Sequence, residues 1–323
     1  MARVCSAVFA AAVVALLLPS AASSQTWPNR PVTIMMPQPA GGIADLLARG
    51  TAQALSAEFG QPFIVENRVG ASGNLAAAAV AKSVPDGSAF LFATQAQVAF
   101  NKLMFASLPY DPARDFVPVI VAGKSPVVFV ASMNGPASLA AMIEMARAKP
   151  GQLTIGQTGV GSMSHVAYEL LQLKTGIVLN GVSYKGGAPM ATDLLGDHLP
   201  LGSDLLSNFI TLAKENKVRL LAVASAKRFG DAPDIPTVTE EIRQPFEAAA
   251  WFAIVARTGT AADIVQKVNA VANRYLQSEK ARELIARASL EPVGGSPAEA
   301  EAFLKRELET WAPVIKAANI SLN

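Results

Sequence analysis

The sixteen residues from Arg30 to Asp45, RPVTIMMPQPAGGIAD, constrain the fold more than any other stretch. They read as a buried strand, Val32–Met36, running through a double-glycine turn into a helix. The first turn of a helix leaves its backbone N–H groups without intrahelical partners, so amides at such a loop can converge on a small anion. The segment therefore points to a chain that holds something small, soluble and negatively charged.

Residues 1–24 carry one positive charge (Arg3), an apolar run over residues 7–18, then Pro19 and the small residues Ser20, Ala21, Ala22, Ser23 and Ser24. This is the layout of a secretory signal peptide cut before Gln25. A signal anchor is the competing reading, but the apolar run is shorter than the ~20 residues a bilayer span needs. The only cysteine, Cys5, lies within the leader, so the mature chain has no thiol for a lipid, a disulfide or a thiolate metal site. Its stability must come from core burial, and 51% hydrophobic residues are enough for two domains. Without Arg3 the chain has 26 Lys+Arg against 25 Asp+Glu, a net charge of +1. Nucleic acid is excluded as a partner, because phosphate binding needs clustered positive charge. No second apolar stretch is long enough to span a membrane.

Downstream, extended and helical patterns alternate. Val32–Met36 and residues 63–65 and 89–93 read as buried strands, and residues 45–59 and 75–83 carry the alanine and leucine of helices. This is a βαβαβ unit and implies a parallel sheet with right-handed crossovers. Gly60 is placed to cap the first helix, and Gly70 and Gly73 to open the second. A second series follows, with strands near 127–131, 154–156, 178–182, 199–202 and 220–224 and helices near 138–148, 164–174, 188–195 and 205–215. The tail adds a strand near 251–256 and helices near 261–277 and 297–317. Two apolar extended stretches, residues 119–130 and 221–226, are expected to cross between the two units as a hinge. The expected fold class is α/β with two α/β domains: residues 25–124 with 226–323 form a discontinuous first domain, and 125–225 the second. The C-terminal helices are expected to pack back on the first.

Ligands of open parallel sheets bind beyond the carboxyl ends of strands, where loops enter helices. The candidate loops are residues 37–45, 94–97, 157–164, 184–188 and 203–207. Residues 157–164, QTGVGSMS, repeat the logic of the first loop, with glycines for close backbone approach and hydroxyls where a helix starts. Opposed helix N-termini would make a cleft selective for carboxylates. A helix dipole supplies only about 0.3–1 kcal/mol, so binding must come mainly from several hydrogen bonds to the charged group, about 1.5–3 kcal/mol each. Each candidate also has a plainer role open to it. Gly41 and Gly42 can serve a tight turn, Asp45 can complement the positive end of its helix, and Ser162 and Ser164 can cap theirs. Tyr184 and Lys185 form a pocket wall and a cation, or a solvated turn. Asp204 accepts a ligand ammonium or caps the next helix.

Some chemistries are missing. His165 and His198 are the only histidines and there is no HExxH spacing, so neither a metal nor another cofactor is expected. His165 directly follows Ser164, but adjacent helical residues point apart and no GxSxG elbow is present, which argues against a hydrolase. Gly123-Lys124-Ser125 imitates the end of a phosphate loop, yet Pro118 occupies the first glycine position. Gly159-x-Gly161 lacks the third glycine of a dinucleotide fingerprint.

The segments WPNRPVTIMMPQPAGGIAD, GQPFIVENRVGASGN, PDGSAFLFAT, LPYDPARDFVPV, SYKGGAPMATDLLG, LLAVASAKR and DIPTVTE closely resemble, in order and spacing, the Bug family. These are extracytoplasmic receptors of tripartite tricarboxylate transporters, and the resemblance extends from about Trp27 to the C-terminus. It implies a type II periplasmic binding-protein fold that closes on a small carboxylate and presents it to membrane permease subunits. It implies a monomer in the periplasm. Carried over by position, it favours Ala40, Gly41, Gly42, Gly161, Ser162 and Ser164 as ligand contacts, with Asp45 as a motif residue of the first helix. Gln38, Thr94, Thr158, Tyr184 and Asp204, from the same loops, complete the expected ligand-binding set. Gln38 stands where the family commonly has Phe, and Ile43 and Ala44 where a hydroxyl residue is common, so the pocket gains an amide and loses a hydroxyl. Two alternatives remain: a ligand sensor that contacts a signalling partner, and a periplasmic enzyme on the same fold, for which no acid, base and nucleophile are placed.

Overall fold

The computed structural model describes residues 27–230 and 232–322; the leader read in residues 1–24 lies outside the described residues. The chain opens with β1 (Val32–Met36), α1 (Ile43–Phe59), β2 (Phe63–Asn67), α2 (Asn74–Ala81) and β3 (Ala89–Thr94). β1 pairs in parallel with both β2 and β3, the arrangement that a βαβαβ unit requires. Gly60 ends α1 in the left-handed conformation, its N–H bonded to the Ser56 carbonyl, where a side chain would be strained. Two short helices, α3 (Asn101–Met104) and α4 (Pro112–Asp115), then lead into β4 (Phe116–Ala131).

β4 organises the molecule. Its first part pairs with β9 (Ala249–Arg257) and its last five residues pair with β7 (Leu201–Leu205), both antiparallel. Between β4 and β7 lie α5 (Leu139–Ala148), β5 (Thr154–Gln157), α6 (Met163–Thr175), β6 (Asn180–Ser183) and α7 (Gly187–Leu195). After β7 come α8 (Leu206–Lys214), β8 (Arg219–Val223) and α9 (Val238–Ile242), and after β9 come α10 (Ala262–Leu276), α11 (Glu279–Arg287), β10 (Glu291–Gly294) and α12 (Pro297–Ala317). The resulting curled sheet has the order β2-β1-β3-β9-β4-β7-β5-β6, with β8 and β10 both paired to β4. The expected strand over 127–131 is thus the end of a sixteen-residue strand. Beside it, Ala224 donates to the Val127 carbonyl, Val127 to Ala248 and Ala248 to Ala224, at 2.7–2.9 Å. The chain leaving β8 and the chain entering β9 meet β4 at this one point.

Apolar side chains fill both faces. Under the β1 half, Ile34, Leu47, Leu55, Phe90, Phe252 and Val268 share one core. The β5 half carries two: Phe129, Ile155, Val166 and Leu171 on one side, and Val130, Met190, Leu194 and Phe209 on the other. α10 packs on the β1 half as expected, but α12 does not stop there. With 21 residues it is about 30 Å long, and its Trp311, Val314 and Ile315 join Phe100 and Met104 to Val166 and Leu171 in a single cluster. The Trp311 ring lies 6.2 Å from Phe100, edge to face. Its Nε1 and that of Trp251 on β9 both donate to Glu307 Oε2, at 3.2 and 2.8 Å. Trp311→Ala should cost about 3–5 kcal/mol of stability, read from the urea midpoint at unchanged slope, because it removes a buried ring from a shared core. A loss below 1 kcal/mol would mean that α12 is dispensable to the fold.

Candidate functional site

Four loops at strand ends converge on a cavity of ≈ 370 Å³. Pro37, Gln38 and Pro39 follow β1, Val69 to Gly73 follow β2, Thr94 to Gln97 follow β3, and Thr158 to Ser162 follow β5; Leu322 closes the remaining side. Larger hollows lie elsewhere, one of ≈ 550 Å³ near Lys124 and Arg282 and one of ≈ 510 Å³ near Trp251 and Trp311. Of these hollows among the described residues, the 370 Å³ cavity is the one that lies where the carboxyl ends of strands from both halves of the sheet face each other. Among the described residues, no Lys, Arg, His, Asp or Glu lines it. Its polar lining consists of amides and hydroxyls.

The wall after β3 is a fixed polar network. Gln97 Oε1 accepts from the Thr94 amide (2.9 Å) and hydroxyl (3.0 Å), while its Nε2 donates to the Ser72 carbonyl at 2.9 Å. Asn101 donates to the same carbonyl at 3.1 Å and to Asn74 Oδ1. The buried Tyr110 hydroxyl also reaches Asn74 Oδ1, at 2.9 Å, and burial raises its pKa, keeping it a donor. These bonds tie the loop after β2 to the loop after β3, so both walls are set before a ligand arrives.

The glycine loop after β1 is satisfied from within. Asp45 is buried; its Oδ2 accepts from the Gly41 amide at 3.0 Å and Arg49 Nε at 2.8 Å, and its Oδ1 accepts from Asn67 Nδ2 at 2.8 Å. Burial alone would raise this carboxyl, but the bonds from Arg49, Gly41 and Asn67 together hold it below the usual carboxylate range. Asn67 also donates to the Gln38 carbonyl, fixing the loop to the end of β2. Ala40, Gly41 and Gly42 are exposed and do not line the cavity. The amide expected to face a ligand at Gly41 is therefore spent on Asp45, because a glycine N-cap has no oxygen of its own and the first-turn carboxylate reaches back.

The loop after β5 behaves in the same way. Ser162 caps α6 by accepting from the His165 amide at 3.3 Å. His165 Nδ1 accepts from the Gly161 amide at 3.0 Å, and Ser164 Oγ from the Thr158 amide at 2.9 Å. Gly161 has φ +77°, and a Cβ there would lie 2.6 Å from Met104 Sδ and 3.1 Å from Leu322 Cδ1. Only glycine fits where this loop meets the other half. Behind it, Ser162 Oγ lies 2.8 Å from Ser164 Oγ, which lies 2.9 Å from Thr158 Oγ1, which donates to Asp204 Oδ1 at 3.0 Å. Asp204 is 2% exposed, and its other oxygen accepts from Asn208 Nδ2 at 2.7 Å. Desolvation raises its pKa against the opposing bonds from Asn208, the Leu205 amide and Thr158.

Gln38, Thr94, Thr158, Gly161 and Ser162 thus face one cavity, while Ser164 and Asp204 stand behind it. Tyr184 lies on the loop before α7, where its hydroxyl donates to Asp193 at 2.7 Å, and it does not line the cavity. Val69, Gly70, Ser72, Asn101 and Leu322 lie outside the expected loops, while Gln95 and Val160 fall within those over 94–97 and 157–164 without having been singled out. The strand-end rule finds the loop after β2 once it is applied to that strand as well. Nothing local points to Leu322, which arrives from the far end of the chain through its amide bond to the Met104 carbonyl at 2.8 Å.

A profile of the tripartite tricarboxylate transporter family receptor, TctC, matches residues 47–320. The chain belongs to the TctC receptor family. It is 34% identical over 302 residues to protein BugT of Bordetella pertussis, covering 93% of each chain. Among solved structures, R. palustris Rpa4515 with adipate shares 37% identity at a TM-score of 0.82, covering 91% of this chain and 99% of that one. MatC from Rhodopseudomonas palustris, with bound malate, shares 28% at 0.77, covering 90% and 100%, and the periplasmic binding protein BugD shares 28% at 0.78, covering 91% and 99%. TctC proteins are periplasmic solute-binding receptors, and the expected two-domain α/β architecture of type II binding proteins is the one observed.

In this TctC chain, Asp45→Asn should cost about 1–3 kcal/mol at pH 7, the penalty for weakening bonds to a buried carboxylate. A carboxyl held below its ordinary value contributes stability above that value and loses it as pH falls through the depressed one. The difference between wild type and variant should therefore shrink on acidification below pH 4, followed by thermal melting. A gap that is constant with pH would show that the Asp45 charge does not hold the loop.

Proposed function

We propose that the chain is an exported receptor that captures a small organic acid between its two halves and delivers it to the membrane subunits of a tripartite tricarboxylate transporter. One observation carries this reading: loops from both halves of the sheet share a single cavity whose polar lining is entirely neutral. Hydrogen bonds from amides and hydroxyls to a carboxylate are worth about 1.5–3 kcal/mol each, so a few of them suffice without an ion pair. The adipate bound to Rpa4515 and the malate bound to MatC are acids of the size such a cavity takes. The lobes in this reading are residues 25–124 with 226–323, and 125–225, with β4 and the chain on either side of Ala224 and Ala248 as the hinge. Release to the periplasm follows from the leader over residues 1–24.

A thermal-shift panel of mono-, di- and tricarboxylates at fixed pH and salt should give stabilisation by one or a few acids, about 2.7 kcal/mol at a hundred times the dissociation constant. Sugars and divalent cations should give none. Ser162→Ala should weaken the best acid about ten- to hundredfold by calorimetry, the worth of one bond to a charged group. Its loss of the helix cap, about 1 kcal/mol, is measured separately by denaturation. If no acid in the panel shifts the melting temperature, the reading is overturned. Undiminished affinity in Ser162→Ala would move the site away from this loop.

A further inference from the structure

The hydroxyl chain behind the cavity has a direction, and only one group can set it. Ser162, Ser164 and Thr158 each own one hydroxyl proton, and their oxygens follow one another at 2.8 and 2.9 Å before Asp204 is reached at 3.0 Å. Two fixed donors limit how those protons can point. The Thr158 amide occupies one acceptor position of Ser164 Oγ, and the His165 amide occupies one of Ser162 Oγ.

With Asp204 ionised, Thr158 donates to it, Ser164 donates to Thr158 and Ser162 donates to Ser164. Every proton then points inward, and Ser162 offers the cavity only a lone pair. With Asp204 protonated on Oδ1, the order reverses. The carboxyl donates to Thr158, Thr158 to Ser164 and Ser164 to Ser162, and the Ser162 hydroxyl is left to donate into the cavity that it lines. The oxygens keep their places in both states. A mixed arrangement would set two lone pairs against each other at less than 3 Å in a half-buried network, which is costly. No O–H bond of a hydroxyl breaks in the reversal; each hydroxyl rotates about its C–O bond, and one proton is taken from solvent onto Asp204.

We propose that Asp204 is a proton site coupled to the cavity: an acid binds with uptake of one proton by Asp204, and the three hydroxyls turn outward to meet its carboxylate. The inference rests on the acid-binding reading above. Among the described residues, the hydrogen-bond partners of Asp204 are all neutral: Thr158, Asn208 and the Leu205 amide. The titratable or charged groups on the surrounding elements are His165, Tyr168, Glu169 and Lys174 on α6, Tyr184, Lys185 and Asp193 around α7, and Lys214 at the end of α8. None of them hydrogen bonds with Asp204 or shifts it. With no cation to hold it ionised, the carboxyl is displaced by burial toward its protonated form. An anion at Ser162 displaces it further in the same direction, and by linkage protonation must tighten the anion. A ligand that instead presents an N–H to Ser162 favours the ionised state and releases the proton.

The test is calorimetry with adipate, malate and any acid that stabilises the protein, at pH values where the acid itself is fully ionised, in pairs of buffers of different ionisation enthalpy. The expected result is net proton uptake approaching one per acid bound as pH rises, with affinity falling up to tenfold per pH unit. In Asp204→Asn the amide N–H donates to Thr158 while its oxygen keeps the bond from Asn208. This variant should bind with no proton uptake, and its affinity at high pH should match that of the wild type at low pH. If Asp204→Asn does not fold, uptake by the wild-type protein decides alone. An acid that binds the wild type at pH-independent affinity without taking up a proton overturns the proposal and leaves the receptor reading standing. Uptake that persists in Asp204→Asn also overturns it and assigns the proton to another group, His165 first. If no acid binds at all, both readings fall together.

Discussion

The pairing of β4 on both its ends is the constraint from which the rest follows. A strand that bonds to β9 over its first part and to β7 and β8 over its last gives the two halves one continuous ladder. The halves cannot separate, because opening them fully would strip buried backbone groups of their partners. The loops after β1, β2 and β3 on one side and after β5 on the other are consequently held facing each other. α12 reinforces the arrangement by sharing Trp311, Val314 and Ile315 with apolar residues from both halves.

The cavity that results owes little to bare helix amides. Gly41, Thr158 and Gly161 all give their N–H groups to acceptors four to six residues away in their own loops. Self-capping has a benefit: the loops are ordered before ligand arrives, so less conformational entropy is lost on binding. It also shifts the burden of recognition to hydroxyl and amide side chains, which can donate or accept according to their surroundings. A buried carboxyl among such groups makes their orientation depend on a proton, an economy that a lysine or arginine in the same place would not allow.

The helices were legible because their apolar residues recur at the helical period; residues 297–317 emerge with the bounds read from sequence. α11 was missed because its nine residues, EKARELIAR, bury only Ala281 and Ile285 and read as a solvated charge run. β4 was read as an apolar extended crossing over residues 119–130 and a short strand over 127–131, not as one strand from Phe116 to Ala131. Register shifts between Pro118 and Ile120 and between Val121 and Gly123 accommodate Pro118 and Gly123 within it, as bulges do. Among the site residues, Thr158, Ser162 and Ser164 stood out by their place in a glycine loop before a helix. Asp45 was visible as a motif residue, but its role in closing the loop depends on Asn67, which lies 22 positions away.

By itself the sequence determined the alternation of strands and helices, and with it the parallel pairing of β1 with β2 and β3 and of β5 with β6 and β7, and the strand-end loops that bound the cavity. Those are consequences of local periodicity and of the obligatory pairing of backbone groups, which neighbours along the chain suffice to decide. Only the tertiary structure decided which donors remain free in the loops, that Leu322 walls the cavity, and that Asp204 stands buried behind Thr158 with only neutral hydrogen-bond partners among the described residues. Those depend on distances between segments far apart in the chain, and on the water excluded between them, which no stretch of sequence carries.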